Sequence, residues 1–387
     1  MKIGIDARAA ARYRGTGLGT YTHRLIWALS ELDRYNEYTA FAPAAAPAGP
    51  AGSGGETPPA WAPDLPLTAN FTVFPFPAHP DRGEEDSTIS RELASGAFTL
   101  HHVPHNGLGF PPDPPCPVVT TVHDLIPYVL PQTCTRRYLD RFLARMPEIC
   151  ARSALILTVS RHTLQDLYRI LGVPETKIVV TYEAPEPCYR PLPFAEANAR
   201  AAEKYGLRGP FFLYVGGFSP RKNLPALLSA YAAVRNDLPD RPPLVLAGSL
   251  DPAGQRLVDR AKDLGLTGEV LFPGFVPLAD LPYLYRAARL FVYPSLYEGF
   301  GLPPLEAMAC GTPVISSRES SLPEVVGDAG FLIDPYDPDS LATALLKLGS
   351  NPEAREALRH RGLRRAKAFS WRRTAAETLL AYEAVAG

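Results

Sequence analysis

The sequence predicts an α/β protein made of two parallel-sheet halves. Three observations carry that reading. Apolar runs of strand length alternate with helical stretches along almost the whole chain. Both halves begin with a strand that runs into a glycine-containing loop. Between them lies Glu183-Ala-Pro-Glu-Pro-Cys-Tyr-Arg-Pro-Leu-Pro193, with four prolines in eleven residues, which describes an extended connector.

In the first half, strands are expected at 3–5, 38–41, 71–74, 100–103, 118–122, 155–159 and 178–180. The glycine loop is expected at 15–19, and helices at 21–32, 135–152 and 161–171. In the second half, strands are expected at 211–215, 244–247, 270–272, 290–293, 314–316 and 331–333. The expected architecture is two facing Rossmann-like domains, 1–187 and 188–369. Their ligands would lie beyond the carboxyl ends of the strands, in the cleft between the domains. Ser370 can cap a last helix, 370–387, whose stripe of Trp371, Ala375, Leu379 and Tyr382 is expected to cross back to the first domain. Residues 42–66 are rich in Ala, Pro and Gly and bury too little apolar area to offset their ordering entropy, so a flexible surface excursion is expected there.

Composition excludes several classes. At 387 residues the chain has room for two or three domains. Apolar residues are 46% and charged residues 20%, so it is not mostly disordered. With 39 Lys and Arg against 40 Asp and Glu, the net charge of -1 calls for no nucleic acid. Five scattered cysteines without a CxxC spacing argue against a disulfide framework or zinc knuckle and fit a reducing cytoplasm. MKIGIDARAA lacks the apolar core of a signal peptide. No run approaches the ~20 apolar residues that span a bilayer.

The chemistry is densest from Ser295 to Val314. A strand ends, a glycine loop follows, and Pro303 or Pro304 suits the first turn of a helix that Gly311 would close. The amides of Phe300, Gly301 and Leu302 then sit near a helix N-terminus, a ready anion site. Glu298 and Glu306 flank it. Carboxylates repel phosphate but accept from hydroxyls, so they suit the ribose and hexose on either side.

Glu298 and Glu306 form an E-x7-E pair inside EGFGLPPLEAMACGTPVI, followed by SSLPEVVGDAGFLIDPYDP. With VGGFSPRKNLPALLSA, LFPGFVPLADLPYLYRAA and the closing FSW, this resembles the retaining glycosyltransferases of family 4, which have the GT-B fold and use nucleotide-sugar donors. The resemblance covers the chain apart from the Ala/Pro-rich insert. It implies that Glu298 accepts from hydroxyls of the transferred sugar and that Glu306 holds the ribose. The amides of Phe300, Gly301 and Leu302 would meet sugar and diphosphate, and Arg221 and Lys222 would neutralise the diphosphate. Many relatives carry Arg where this chain has Gly217, which shifts phosphate charge onto Arg221. The base is expected near Phe275, in Gly274-Phe275-Val276. Gly17 is the expected phosphate contact of the first glycine loop. His123 would touch the sugar or acceptor near the reacting carbon. GGFSPRKN and the HDLIP segment are similar to bacterial mannosyltransferases of polysaccharide or O-antigen assembly, which makes GDP-mannose the expected donor and a glycan or lipid-linked hydroxyl the acceptor. No metal and no cofactor is expected.

Other features compete for roles. Gly15-Thr-Gly-Leu-Gly19 is GxGxG, and no acid ends the second strand, so a dinucleotide-binding oxidoreductase fails on two counts. His101, His102 and His105 raise a metal site without a matching ligand set, or an acceptor loop. Asp337-Pro-Asp339 looks like a metal-binding D-x-D but sits where a helix cap belongs. Arg137, Arg141 and Arg145 share a helical face with Arg136 beside it. That face is either solvated or rests peripherally on the inner, anionic surface of a membrane. A nucleotide-sugar epimerase of the same fold and a non-catalytic nucleotide-sugar-binding protein are the alternative functions.

Overall fold

The computed structural model describes residues 1–13, 15–44, 68–77 and 82–387. Most of the expected insert, 45–66, lies outside them. The backbone divides into two compact units. One holds Met1–Val129, Cys134–Glu183 and Ser370–Gly387; the other holds Leu130–Thr133 and Ala184–Phe369.

The first unit contains β1 (Lys2–Asp6), β2 (Glu37–Pro43), β3 (Phe71–Phe76), β4 (Leu100–Val103), β5 (Val118–Val122), β6 (Leu155–Thr158) and β7 (Ile178–Val180). They form one parallel sheet in the order β3-β2-β1-β4-β5-β6-β7. The second unit contains β8 (Phe212–Val215), β9 (Leu244–Ala247), β10 (Val270–Gly274), β11 (Leu290–Tyr293), β12 (Val314–Ser317) and β13 (Phe331–Ile333), ordered β10-β9-β8-β11-β12-β13, again all parallel. Both sheets are covered by helices, so their strands read as nearly continuous apolar runs rather than alternating ones. In each sheet the order reverses beside its first strand, between β1 and β4 and between β8 and β11. Crevices open outside the carboxyl ends of strands at such points.

Local chemistry explains the helix ends. Ser160 accepts from the amide of Thr163 at 3.0 Å and starts the helix Arg161–Leu171, which Gly172 closes at a φ of 66°. Asp337 accepts from the amide of Asp339 at 3.0 Å, so the D-x-D is a cap of the helix Pro338–Ser350. The first glycine loop is shorter than expected. Thr16 accepts from the amide of Gly19 at 3.3 Å, and the helix Gly17–Leu32 starts four residues early, so Gly17 and Gly19 are helical. Among the described residues of the first unit three helices had no clear sequence signal: Arg8–Arg12, only five residues long, the four-residue Ile126–Val129, and Arg82–Ser95, which follows directly on residues outside the description.

The last helix, Trp371–Ala386, packs within the first unit. Its Ser370 cap accepts from Arg373 N. Trp371 lies edge-on to Tyr21, and Tyr382 hydrogen-bonds His102 Nδ1 at 2.7 Å. Its buried face runs through Trp371, Thr374, Ala375, Thr378, Ala381 and Tyr382; Leu379 is half-buried at the margin. The arginine row on the helix Arg136–Arg152 also divides. Arg136 and Arg137 are exposed, whereas Arg141 donates to Leu108 O at 3.4 Å and Arg145 to Phe110 O at 3.2 Å. Those two pin the loop after β4. Among the described residues no helix is long and apolar enough to cross a membrane.

Packing is tight where the loops of the second sheet cross. A Cβ on Gly248, just after β9, would overlap the Gly216 carbonyl oxygen and press on the Phe218 ring. Backbone on one side and a buried aromatic on the other leave no room to relax. Gly248→Ala is expected to lower unfolding stability by about 1–3 kcal/mol, measured by urea denaturation.

Candidate active site

The second unit assembles the site at its switch point. β8 ends at Val215 and runs into a short 3-10 turn, Pro220–Lys222; β11 ends at Tyr293 and runs into the loop 294–301. Adjacent strands bring these loops together. Leu296 N donates to Arg221 O at 2.8 Å, Ser295 Oγ lies 3.1 Å from Arg221 O, and Arg221 Nη1 donates to Tyr297 O at 2.9 Å. A third loop, after β12, fastens the second. Glu298 N donates to Ser320 Oγ at 2.9 Å, and Ser321 Oγ reaches the carbonyls of Glu298 and Phe300 at 2.8 and 2.6 Å. Gly301, at a φ of 119°, turns the chain into the helix Leu302–Ala309, whose prolines sit in its first turn.

Glu298 is the centre of this arrangement and is only 7% exposed. Its Oε1 accepts from Lys222 Nζ at 2.6 Å and from Ser295 Oγ at 2.6 Å, and stands 2.7 Å from Arg221 Nη1. Lys222 Nζ also donates to the Tyr293 hydroxyl at 2.5 Å and lies 4.8 Å from the centre of that ring. Tyr214 stacks beneath Tyr293 and donates to Gly217 O at 2.7 Å. The carboxylate expected to face sugar hydroxyls thus has one oxygen occupied by the two cations expected to face phosphate. Two cations and one carboxylate leave one positive charge at the mouth of a helix.

Glu306 lies in the helix Leu302–Ala309 itself. It is half-buried, and its Oε2 accepts from the Tyr285 hydroxyl at 2.9 Å. Phe275, directly after β10, is 69% exposed, a large aromatic face left in solvent. The amides of Phe300, Gly301 and Leu302 open the helix, while the Phe300 side chain is buried edge-on against Phe369. Nothing lies within 4 Å of a Cβ built on Gly217.

Comparison with known proteins decides the family. Residues 196–365 match the family described as Glycosyl transferases group 1, and residues 15–184 match Glycosyltransferase Family 4. The O-antigen chain mannosyltransferase B of Escherichia coli is 41% identical over 272 residues, 68% of this chain and 70% of that one. The chain belongs to glycosyltransferase family 4. The serotype-specific mannosyltransferase WbdA of Escherichia coli is 31% identical over 272 residues, 68% of this chain, but the match spans only 33% of that longer protein. The fold matches solved GT-B structures over its length. Sucrose-phosphate synthase from Thermosynechococcus elongatus superposes with a TM-score of 0.78 at 22% identity, covering 99% of this chain and 98% of that one. Anabaena HepE, solved with UDP and glucose, gives 0.73 at 18% identity, covering 99% and 100%. The protein is a glycosyltransferase of GT-B architecture.

In the first unit of the glycosyltransferase, His123 follows β5 and is buried. Its amide donates to Asn106 Oδ1 at 2.7 Å, Nε2 meets Pro104 O at 2.9 Å, and Nδ1 is 3.3 Å from Glu183 Oε1. Tyr21 stands edge-on to its ring at 4.7 Å. Both ring nitrogens therefore have oxygen partners. Gly17 is exposed at the start of its helix, with nothing within 4 Å of a Cβ built there. The other histidines do not converge. His101 and His102 are neighbours on β4 and point to opposite faces. His102 is held between Tyr382 and Thr121, while His101 lies edge-on to Phe41. Burial pulls both down, to about 3 for His102 and about 4 for His101, so both are neutral near pH 7. Among the described residues no group of three or more His, Cys, Asp or Glu is arranged to hold a metal.

Sequence reasoning missed Tyr293, Tyr285, Ser295, Ser320 and Ser321. Tyr293, Ser295, Ser320 and Ser321 gave position as their only advance signal, at a strand end or in the loop that follows; Tyr285 lies in the helix Leu281–Ala287 and gave none.

The ionisation of Glu298 couples this site to stability. Burial pushes its pKa up, but the charges of Arg221 and Lys222 and the hydrogen bonds from Lys222 and Ser295 outweigh it and bring it to about 2, from 4.5. A depressed acid stabilises the fold above its unfolded pKa and loses that contribution as pH falls through the folded value. Glu298→Gln is expected to be less stable than wild type at pH 7. In denaturant titrations at a series of pH values the gap should begin to narrow below about pH 4.5 and be largely closed near pH 2.

Proposed function

We propose that the enzyme transfers a hexose, mannose from GDP-mannose, to a hydroxyl of a glycan or lipid-linked acceptor, with retention at the anomeric carbon and without a metal ion. The observation that carries this reading is the meeting of Arg221 and Lys222 on Glu298 beside the N-terminus of the helix Leu302–Ala309. Breaking the bond between C1 and the phosphate oxygen leaves negative charge on the diphosphate and positive charge on the sugar ring. Arg221, Lys222 and the helix end supply positive charge where the leaving group departs. In sites of this kind a pre-aimed donor contributes about 2.7–4 kcal/mol.

Glu298 has two parts in this reading. It holds the cations before the donor arrives, and it accepts from sugar hydroxyls. Strongly ionised and shared between two cations, it is a poor nucleophile, which favours same-face attack by the acceptor hydroxyl with the departing phosphate taking its proton. Glu306, oriented by Tyr285, suits the ribose hydroxyls, and the exposed face of Phe275 suits a base. His123, fixed by Pro104 and Glu183, serves the sugar or acceptor, and Gly17 leaves room for a phosphate. Mannose is supported by the name of the 41% identical relative, and a nucleoside diphosphate by the UDP in the HepE structure. With a lipid-linked acceptor, the exposed Arg136 and Arg137 are the groups that would meet anionic headgroups.

Arg221→Ala combined with Lys222→Ala should lower the transfer rate by two or more orders of magnitude in a radiolabelled-donor assay; near-normal turnover would remove the leaving-group role. Wild-type activity should persist after dialysis against EDTA. Complete loss, restored by added Mn²⁺, would show that the two cations do not suffice.

A further inference from the structure

Every polar atom of His123 is engaged within the first unit. Its amide donates to Asn106 Oδ1 at 2.7 Å, and its carbonyl accepts from Thr163 Oγ1 at 3.0 Å. In the ring, Nε2 stands 2.9 Å from Pro104 O and Nδ1 stands 3.3 Å from Glu183 Oε1. His123 and Glu183 are both buried.

The backbone around both ring partners is held in place. Pro104 O belongs to a loop in which Asn106 and Gly107 take successive left-handed conformations, at φ of 54° and 62°. Asn106 N donates to Thr121 O at 2.9 Å, and a Cβ on Gly107 would lie 2.5 Å from Ile149 Cγ2. A residue with a Cβ keeps such a conformation where its surroundings impose it. The chain that leads into Glu183 is fastened as well. Thr181 N donates to Thr158 O at 2.8 Å, and Thr374 Oγ1 donates to Tyr182 O at 2.5 Å.

Counting hydrogens decides the state of the ring. A backbone carbonyl only accepts, so Nε2 carries a hydrogen. In a neutral imidazole Nδ1 would then be a bare lone pair. It would face a carboxylate oxygen, which when ionised also only accepts, and two lone pairs 3.3 Å apart repel. A hydrogen therefore stands between them. Imidazole is a stronger base than a carboxylate, so the hydrogen sits on Nδ1. The resulting cation also supplies the counter-charge that a buried carboxylate requires. Two titratable groups face the pair. Tyr21 lies edge-on to the His123 ring at 4.7 Å, and His102 is joined to Tyr21 through Thr121. Burial pushes Tyr21 up to about 12 and brings His102 down to about 3, so both are uncharged near pH 7. The pair balances its own charge.

We propose that Glu183 holds His123 as an imidazolium, with a hydrogen on each ring nitrogen, and that Glu183 is thereby a positioning residue for the transfer. This rests on the transferase reading, in which His123 serves the reaction. The protein is labelled with 15N in its histidine rings, and the His123 signals are assigned by their loss in His123→Gln. Wild type at pH 7 should show both nitrogens of His123 protonated. In Glu183→Gln the amide can donate to Nδ1 but cannot balance a cation, so the ring should be neutral with its hydrogen on Nε2 alone. In turnover of radiolabelled GDP-mannose, Glu183→Ala should lower kcat at least about tenfold while the donor KM changes less than about threefold. Glu183→Gln should recover most of that loss, because its amide still orients the ring. Should Glu183→Ala fail to fold, Glu183→Asp, shorter by one methylene, takes its place with the same direction expected. An unprotonated Nδ1 in wild type would overturn the assignment of the hydrogen. A normal kcat in Glu183→Ala, or a Glu183→Gln enzyme no faster than Glu183→Ala, would overturn the positioning role. If wild type turns over no GDP-mannose at all, the transferase reading fails and the positioning role with it, while the spectrum still decides where the hydrogen lies.

Discussion

A single carboxylate oxygen organises the second unit. Glu298 Oε1 takes Lys222, Arg221 and Ser295 at 2.6 to 2.7 Å in a site almost closed to water. Removing three charges from water is costly, and an apolar cluster of equal volume would commonly stabilise a fold as well or better. Such an arrangement earns its place through its charge. It holds two cations in fixed positions before any ligand arrives, so that little reorganisation is left for the moment when negative charge develops. The Tyr293 ring and hydroxyl underneath restrict Lys222 further, and the backbone bond between Leu296 and Arg221 keeps the two loops from separating.

Topology puts these groups within reach of each other. Lys222 and Glu298 are 76 residues apart in sequence, yet β8 and β11 are neighbours in the sheet, so the loops leaving their carboxyl ends must meet. The reversal of strand order beside β8 opens space between those loops. The helix Leu302–Ala309 then starts at that point because Gly301 can take a conformation that residues with a Cβ rarely adopt. Small local rules of chain conformation thus place a dipole and two cations at one spot.

These features were not equally legible in the sequence. β4, β5 and β11 could be read to the residue, because buried parallel strands are short unbroken apolar runs. Glu298 and Glu306 stood out because their neighbours are prolines and glycines with definite roles at a helix start. Tyr293 and Tyr285 did not, since an aromatic residue in or beside an apolar run looks like core until its hydroxyl is seen to meet Lys222 or Glu306. Gly17 was read as loop because three glycines in five residues suggest one; the Thr16 cap overrides them and winds the segment into helix. Arg141 and Arg145 were expected to keep company with Arg137. A helical face is wide enough, however, for its rows to part, and two of the three arginines turn to the carbonyls of residues 108 and 110.

The two units use related constructions to different effect. At each switch point a buried acid after a strand fixes guanidinium or ammonium groups: Glu298 with Arg221 and Lys222 in one, Asp6 with Arg8 in the other. The difference lies in the remainder. Around Glu298 one positive charge is left over, which suits a ligand that becomes more negative as it departs. Around Asp6 the carboxylates Glu85 and Asp86 and the cations Arg12 and Arg145 join Arg8, three acids against three arginines, and no charge is left over among them. The same construction therefore leaves a net positive charge among its carboxylates and cations at one switch point and none at the other.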